Sequence, residues 1–374
     1  MPVEKSVREL ENRMEVFCII MAGGRGERFW PRSRKDQPKQ LLNLLGGKSF
    51  LEQTVLRLQG FVSEKNIFII TNGSYVDRIR QLCSQLPPEN VIGEPCARDT
   101  APCMALAAGI VKAAAKTPDP VMLLLPSDHF IVDRNAMISD FKSCCDYALK
   151  EDALATIGIV PVSPCPNYGY IECGEILNGP DKISRVKCFR EKPSVEEAVR
   201  LLASGNYKWN SGMFVFPLKT IRREMQRNAP DLLSLSDRIA EVWGTPEFDS
   251  VLRSEYEAAH KISIDYAIME HAEKIVVKDA AFDWDDIGSW TALRNHLSPD
   301  ANGNVSSSDS MLLDCKDCIV FSEDRGTIVA GIDLKDMIVV KTDDAVLVCP
   351  VKSAPKIKSL LAALSGDTRF RKYL

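Results

Sequence analysis

The sequence predicts an α/β fold: a mostly parallel, Rossmann-like sheet covered by helices, followed by a small C-terminal β-helix-like unit. Three observations carry this. Through the first two thirds of the chain, apolar runs of strand length alternate with helical patterns, the arrangement that builds a parallel sheet. A glycine-rich loop, Gly23-Gly24-Arg25-Gly26, follows the first apolar run directly, where such sheets bind ligands. Beyond residue 298 the long helical patterns give way to short β-branched runs.

The elements follow in order. Apolar runs predict strands over residues 16–21, 66–71, 90–92, 121–125 and 153–160. Residues 49–58 open with a capping box, Ser49-x-x-Glu52, and set Leu51, Val55 and Leu58 on one helical face. Residues 100–116 are alanine-rich and helical, with Pro102 in the first turn and Asp99 or Thr100 as the cap. These patterns divide the chain into an extension (1–15), a main α/β domain (16–298) and a C-terminal domain (299–374). In the last of these, the runs 317–321, 336–340 and 344–348 each pair a polar turn with an apolar strand. Repetition of that unit predicts a short β-helix, with an ordinary β meander as the alternative. Residues 355–364 read as a terminal helix.

Composition narrows the class. At 374 residues, 45% of them hydrophobic and 26% charged, the chain can bury a sizeable core. A net charge of −4 argues against a general nucleic-acid binder, so the basic cluster ending at Lys39 is a local feature. The 12 cysteines are scattered through apolar runs, which suits reduced, buried thiols; Cys315-x-x-Cys318 has no second pair at zinc spacing. Residues 1–15 are polar, without the apolar stretch of a secretory signal, and no run approaches the roughly 20 apolar residues of a membrane span. The expected location is the cytoplasm.

The loop after the first strand is the main chemical signal. Gly23, Gly24 and Gly26 let backbone N–H groups approach a ligand, and Arg25, Arg28, Arg32, Arg34, Lys35 and Lys39 supply positive charge beside them. A Walker A motif is excluded: Gly47-Lys48-Ser49 has Leu42 where its first glycine belongs. A dinucleotide fingerprint is excluded as well, because Gly24-x-Gly26 is followed by Phe29. Further along, Asp128 follows a buried run in Leu-Pro-Ser127-Asp128-His129, a place for a Mg²⁺ ligand or a turn-forming aspartate. The segment 282–290 puts Asp283, Asp285 and Asp286 among tryptophans, and one of these acids would complete a metal site with Asp128 if the two segments meet. Residues 167–172 suit sugar hydroxyls or a hairpin, Glu191-Lys192 suits a ligand anion or a surface charge pair, and 209–214 offers close backbone approach.

Taken in order, MAGGRGERFWPRSR, QPKQLL, EPCARDTAP, LLPSDHF, YGYIE, FREKP, WNSGMF and DWDDIGSW resemble the bacterial mannose-1-phosphate guanylyltransferases, a branch of the sugar-nucleotide pyrophosphorylases (nucleotidyltransferases). Asp99 stands where that family usually has asparagine. The resemblance implies that mannose 1-phosphate and GTP give GDP-mannose and pyrophosphate, with Mg²⁺ as cofactor, in a monofunctional homodimer. It implies Arg28, Lys39 and Lys192 as catalytic residues. Ala22, Gly23, Gly24, Gly26, Arg28, Lys39, Thr71, Glu94, Arg98 and Ser127 would bind the nucleotide; Gly169, Glu172, Lys192 and Asn210 the sugar; Asp128 and Asp286 the metal. Asp286 is preferred to Asp285 because it matches the family's D-x-G. Three other readings stand beside this one. They are a pyrophosphorylase for another base or hexose, a glycosyltransferase using Asp283-Trp284-Asp285 as D-x-D, and a non-catalytic sugar-nucleotide binder.

Overall fold

The computed structural model describes residues 14–24, 26–323 and 326–374; most of the expected N-terminal extension, and Arg25 of the glycine loop, lie outside the described residues. The chain forms two compact units that do not follow its linear order. One comprises the described part of Met1–Gly23 with Val55–Pro126 and Ile131–Asp283. The other comprises Gly24–Thr54, Ser127–Phe130 and Trp284–Leu374.

The first unit holds a nine-stranded sheet. Its strands are β1 (Val16–Ala22), β2 (Ile67–Asn72), β3 (Val91–Glu94), β4 (Val121–Pro126), β5 (Leu154–Ile159), β6 (Tyr170–Asn178), β7 (Ile183–Arg190), β8 (Tyr207–Pro217) and β9 (Ile275–Asp279). They lie in the order β3-β2-β1-β4-β8-β5-β9-β7-β6. The pairs among β3, β2, β1 and β4 are parallel, as is β5–β9, while β8 runs antiparallel between β4 and β5. The near-continuous apolar runs of β1, β2 and β4 are what a sheet covered on both faces requires. Thr100–Ala114 is buried almost throughout and packs with Leu235 and Ile239 in the core. Glu15 belongs to this unit: its carboxylate accepts from the backbone N–H groups of Lys116 and Thr117 at 2.8 and 3.0 Å.

The second unit is built around Phe29, Trp30, Leu42, Phe50, Trp290 and Ile338. Helix Phe50–Arg57 begins with the expected capping box: Ser49 N–H donates to Glu52 Oε2 at 2.9 Å, and Glu52 N–H to Ser49 Oγ at 3.3 Å. Strands β10 (Val305–Ser306), β12 (Ile319–Ser322) and β14 (Met337–Lys341) stack in parallel, and so do β11 (Ser310–Leu313) and β13 (Val329–Ile332). The step is 19 residues from Ser310 to Val329 and from Ile319 to Ile338, but 14 from Val305 to Ile319. Asp314, Asp317, Asp333 and Asp336 turn the corners at φ near +53°, a region that aspartate enters more readily than most residues. The third expected repeat is different. Residues 344–348 fall largely in β15 (Val346–Pro350), which folds back antiparallel on β14 instead of adding a rung. Ile357–Gly366 is the terminal helix. All 12 cysteines are free thiols, and among the described residues no helix is long and apolar enough to cross a membrane.

Candidate active site

In the second unit, Gly26 sits at φ +65° so tightly against Lys39 that a Cβ there would lie 2.1 Å from Lys39 Cβ. Only glycine meets both conditions. The two aromatics that follow are anchors: Phe29 meets Trp290 edge-on at 5.2 Å, and Trp290 Nε1 donates to the Trp30 carbonyl at 3.1 Å. This fixes the loop that carries Arg28. Lys39 has a side chain only 8% exposed, with its ammonium 6.0 and 5.7 Å from the rings of Phe29 and Phe50. A cation so enclosed needs polar partners. It donates to Asp128 Oδ2 at 2.8 Å and to the backbone carbonyl of Asp286.

The two acidic segments do meet. Phe130 N–H donates to the Asp285 carbonyl at 2.8 Å and Asp285 N–H to the Phe130 carbonyl at 3.1 Å, an isolated antiparallel bridge. Trp284 Nε1 adds a bond to His129 Nδ1 at 3.1 Å. The bridge sets Asp128 and Asp286 on the wall of one cavity of about 370 Å³, with Arg28, Lys39, Gly288 and Lys358. Burial alone would raise the Asp128 carboxyl, but the Lys39 ammonium, then His129, hold it below the ordinary range. The neighbouring acids are engaged elsewhere. Asp285 accepts from Ile287 N–H at 2.7 Å and Asn295 Nδ2 at 3.1 Å and pairs with His296 at 2.8 Å. In the first unit, Asp283 accepts from the N–H groups of Val132 and Asp133. No D-x-D pair is therefore left open, and Asp286 is the acid of its segment at the cavity. Ile287 holds φ +43°, a true outlier for a β-branched residue, and its complete burial keeps it there.

Among the described residues no group of three or more His, Cys, Asp or Glu side chains could hold a metal. Mg²⁺ asks for less, one or two carboxylates with phosphate oxygens and water completing its shell, and ionised Asp128 with Asp286 fit that demand. Ser127, expected at the nucleotide, is buried, and its carbonyl accepts from Thr54 Oγ1 at 3.3 Å. Lys358 was not anticipated. A lysine on an amphipathic terminal helix carries no sequence signal that separates it from a solvated face.

The first unit carries the residues assigned to nucleoside and sugar. The register pairs Ala22 with Thr71, Thr71 with Gly93 and Asn72 with Glu94, so the ends of β1, β2 and β3 form one edge. Thr71 is fully buried and its hydroxyl donates to the Ala22 carbonyl at 2.9 Å. Exposed Gly23 lies beside Glu94: a Cβ on Gly23 would stand 3.1 Å from Glu94 Oε2. Burial pushes the Glu94 carboxyl up to about 7, against the opposing effect of Tyr256, whose hydroxyl donates to it at 3.1 Å. Arg98 is engaged by structure. Its guanidinium donates to the carbonyls of Tyr256 and Glu257, at the end of helix Phe248–Ala258.

Gly169 and Asn210 come together: Asn210 N–H donates to the Gly169 carbonyl at 2.8 Å. A Cβ on Gly169 would stand 2.6 Å from Glu191 Oε2, so a larger residue there would displace the Glu191 carboxylate. Glu191 pairs with Lys192, which holds φ +45°. Asn210 Nδ2 donates to Asp265 Oδ1 at 2.8 Å, and Asp265 opens the π-helical turn Asp265–Met269. Burial, then the charge of Glu191, raises the Asp265 carboxyl to about 6. Asp265 was missed; its signal was a lone carboxylate inside an apolar run. Glu172 is held differently, by Tyr207 Oη at 3.1 Å, Cys188 Sγ at 3.3 Å and Lys187 at 3.6 Å.

Two family models match this arrangement: nucleotidyl transferase over residues 17–302, and the MannoseP isomerase/GMP-like beta-helix domain over 308–364. The mannose-1-phosphate guanylyltransferase of Escherichia coli K12 is 36% identical over 362 residues, covering 95% of this chain and 74% of the relative. The chain belongs to the mannose-1-phosphate guanylyltransferase family. The Sinorhizobium fredii member is 37% identical, covering 94% of this chain and 68% of its own length. A crystal structure from Thermus thermophilus, described as a mannose-1-phosphate geranyltransferase, superposes with a TM-score of 0.84 at 32% identity, over 94% of this chain and 100% of that one. Asp99, the departure from the family's usual asparagine, holds φ +71° and ψ −172°, a region populated almost only by glycine, and its side chain caps helix Thr100–Ala114 by accepting from Thr100 N–H at 2.8 Å.

Proposed function

We propose that this protein is a mannose-1-phosphate guanylyltransferase, making GDP-mannose and pyrophosphate from GTP and mannose 1-phosphate. One observation carries the reading beyond family membership: the Phe130–Asp285 bridge places Asp128 and Asp286 on one cavity with Arg28 and Lys39. The nucleophile is a phosphate oxygen of mannose 1-phosphate, ionised at neutral pH, so no general base is needed. It attacks the α-phosphorus of GTP, the bond to the bridging oxygen breaks, and that oxygen leaves with pyrophosphate. Such a reaction needs in-line placement and neutralised charge.

On this reading Arg28 and Lys39 face the phosphates, and the exposed backbone of Gly23 and Gly24 lets them approach. Asp128 and Asp286 hold Mg²⁺, which when bound withdraws charge from phosphate oxygens. Glu94 receives the guanine N1–H and amino group; Lys192, with Gly169 and Asn210, faces the sugar phosphate. Asp265 keeps the Asn210 side chain in place. The test is to incubate the protein, Mg²⁺ and mannose 1-phosphate with each of the four nucleoside triphosphates and assay pyrophosphate. Release with GTP well above the others is expected; equal release with all four, or none, overturns the proposal.

A further inference from the structure

Lys358 is the second residue of helix Ile357–Gly366, and the β-helix domain match includes it. Ile357 is 2% exposed and sits in the core with Phe29 and Trp30, with Leu361 and Leu364 packed against the same cluster. That i, i+4, i+7 stripe fixes the helix, and Lys358, one position round from Ile357, comes to the cavity rim. There it lines the same wall as Arg28, Lys39, Asp128 and Asp286. It also lines a neighbouring cavity of about 480 Å³, together with Glu27, Trp30 and Leu361, so the residue borders both spaces.

The charges on the first cavity wall define its task. Arg28, Lys39 and Lys358 oppose Glu27, Asp128 and Asp286, and Lys39 is already held on Asp128. Among the described residues neither Arg28 nor Lys358 makes an ion pair. A pyrophosphate group leaving with several negative charges needs more than one mobile cation. We propose that Lys358 is a phosphate-contacting residue supplied by the C-terminal domain, binding the departing pyrophosphate beside Arg28. This rests on the reading of the cavity as the triphosphate site.

The experiment titrates magnesium pyrophosphate, and separately GDP-mannose, into the full chain and its K358A and K358R variants by calorimetry. In an open cavity the expected loss for K358A is about tenfold in pyrophosphate affinity, below the roughly 10²- to 10³-fold of an enclosed donor. K358R is expected to stay within about threefold, and GDP-mannose, which lacks the departing group, to move less than about twofold. Pyrophosphate affinity of K358A matching the parent overturns the proposal, as does an equal loss for both ligands. If K358A loses pyrophosphate selectively while the parent fails to turn over GTP with mannose 1-phosphate, Lys358 keeps its role and the proposed reaction falls.

Discussion

The ammonium of Lys39 lies 2.8 Å from Asp128 Oδ2 and also donates to the backbone carbonyl of Asp286. One side chain therefore joins three stretches of chain far apart in sequence. It keeps Asp128 ionised, and its own charge is desolvated between Phe29 and Phe50, where an electrostatic effect is larger than in water.

Lys39→Ala is expected to lower kcat by roughly 10²-fold or more, the scale of removing an electrostatic stabiliser from an active site. Steady-state kinetics with pyrophosphate release check this. Activity within about threefold of the parent removes Lys39 from the mechanism. Lys39→Arg is not expected to rescue, because a planar fork does not fit the space of a point charge between two rings.

Asp128→Asn and Asp286→Asn are each expected to shift the Mg²⁺ titration of activity to higher concentration. The fold should survive in both. Asn keeps an acceptor for Lys39 at position 128, and at 286 it is the backbone carbonyl that Lys39 uses. Unchanged metal titrations in both variants exclude the site.

If Glu94 receives guanine as proposed, binding should depend on pH. Its carboxyl is raised to about 7, so the form that can accept from guanine is lost as pH falls through that value. GDP-mannose affinity, measured calorimetrically between pH 5.5 and 8.5, should weaken toward acid by up to about tenfold per unit. Glu94→Gln should flatten the profile. For the free protein the sign is reversed: burial favours the protonated acid, so its contribution to stability is full below about 4.5 and is lost as pH rises through about 7. Melting temperatures of the parent should therefore fall relative to Glu94→Gln between pH 5 and 8. Asp265, raised to about 6, titrates in the same window and is common to both proteins.

Gly26→Ala should destabilise the protein by about 1–3 kcal/mol, through a positive φ and an overpacked contact with Lys39. Gly24→Ala is the control, since a Cβ there meets nothing within 4 Å. Equal denaturation midpoints for the two variants contradict the packing argument.

Much of the fold was legible because its signals are local. The apolar runs of β1, β2 and β4, the Ser49–Glu52 capping box and the alanine-rich helix at Thr100–Ala114 each carry their pattern within a few residues. The antiparallel insertion of β8 between β4 and β5, and the turning back of β15, were not legible. Strand direction depends on where a distant partner lies, and an apolar strand reads alike in both senses.

The same division runs through the candidate site. Taken alone, the sequence determines the glycine loop, its cations, and the identity of the acids as candidates, because residue type and short spacing define that chemistry. Tertiary structure decides which of them lie together. The Phe130–Asp285 bridge brings Asp286 to the cavity of Asp128, partners elsewhere occupy Asp283 and Asp285, and the packing of Ile357 carries Lys358 to the same wall. Those outcomes rest on hydrogen bonds and burial between residues more than 100 positions apart in the Asp128–Asp286 case, which no local pattern encodes.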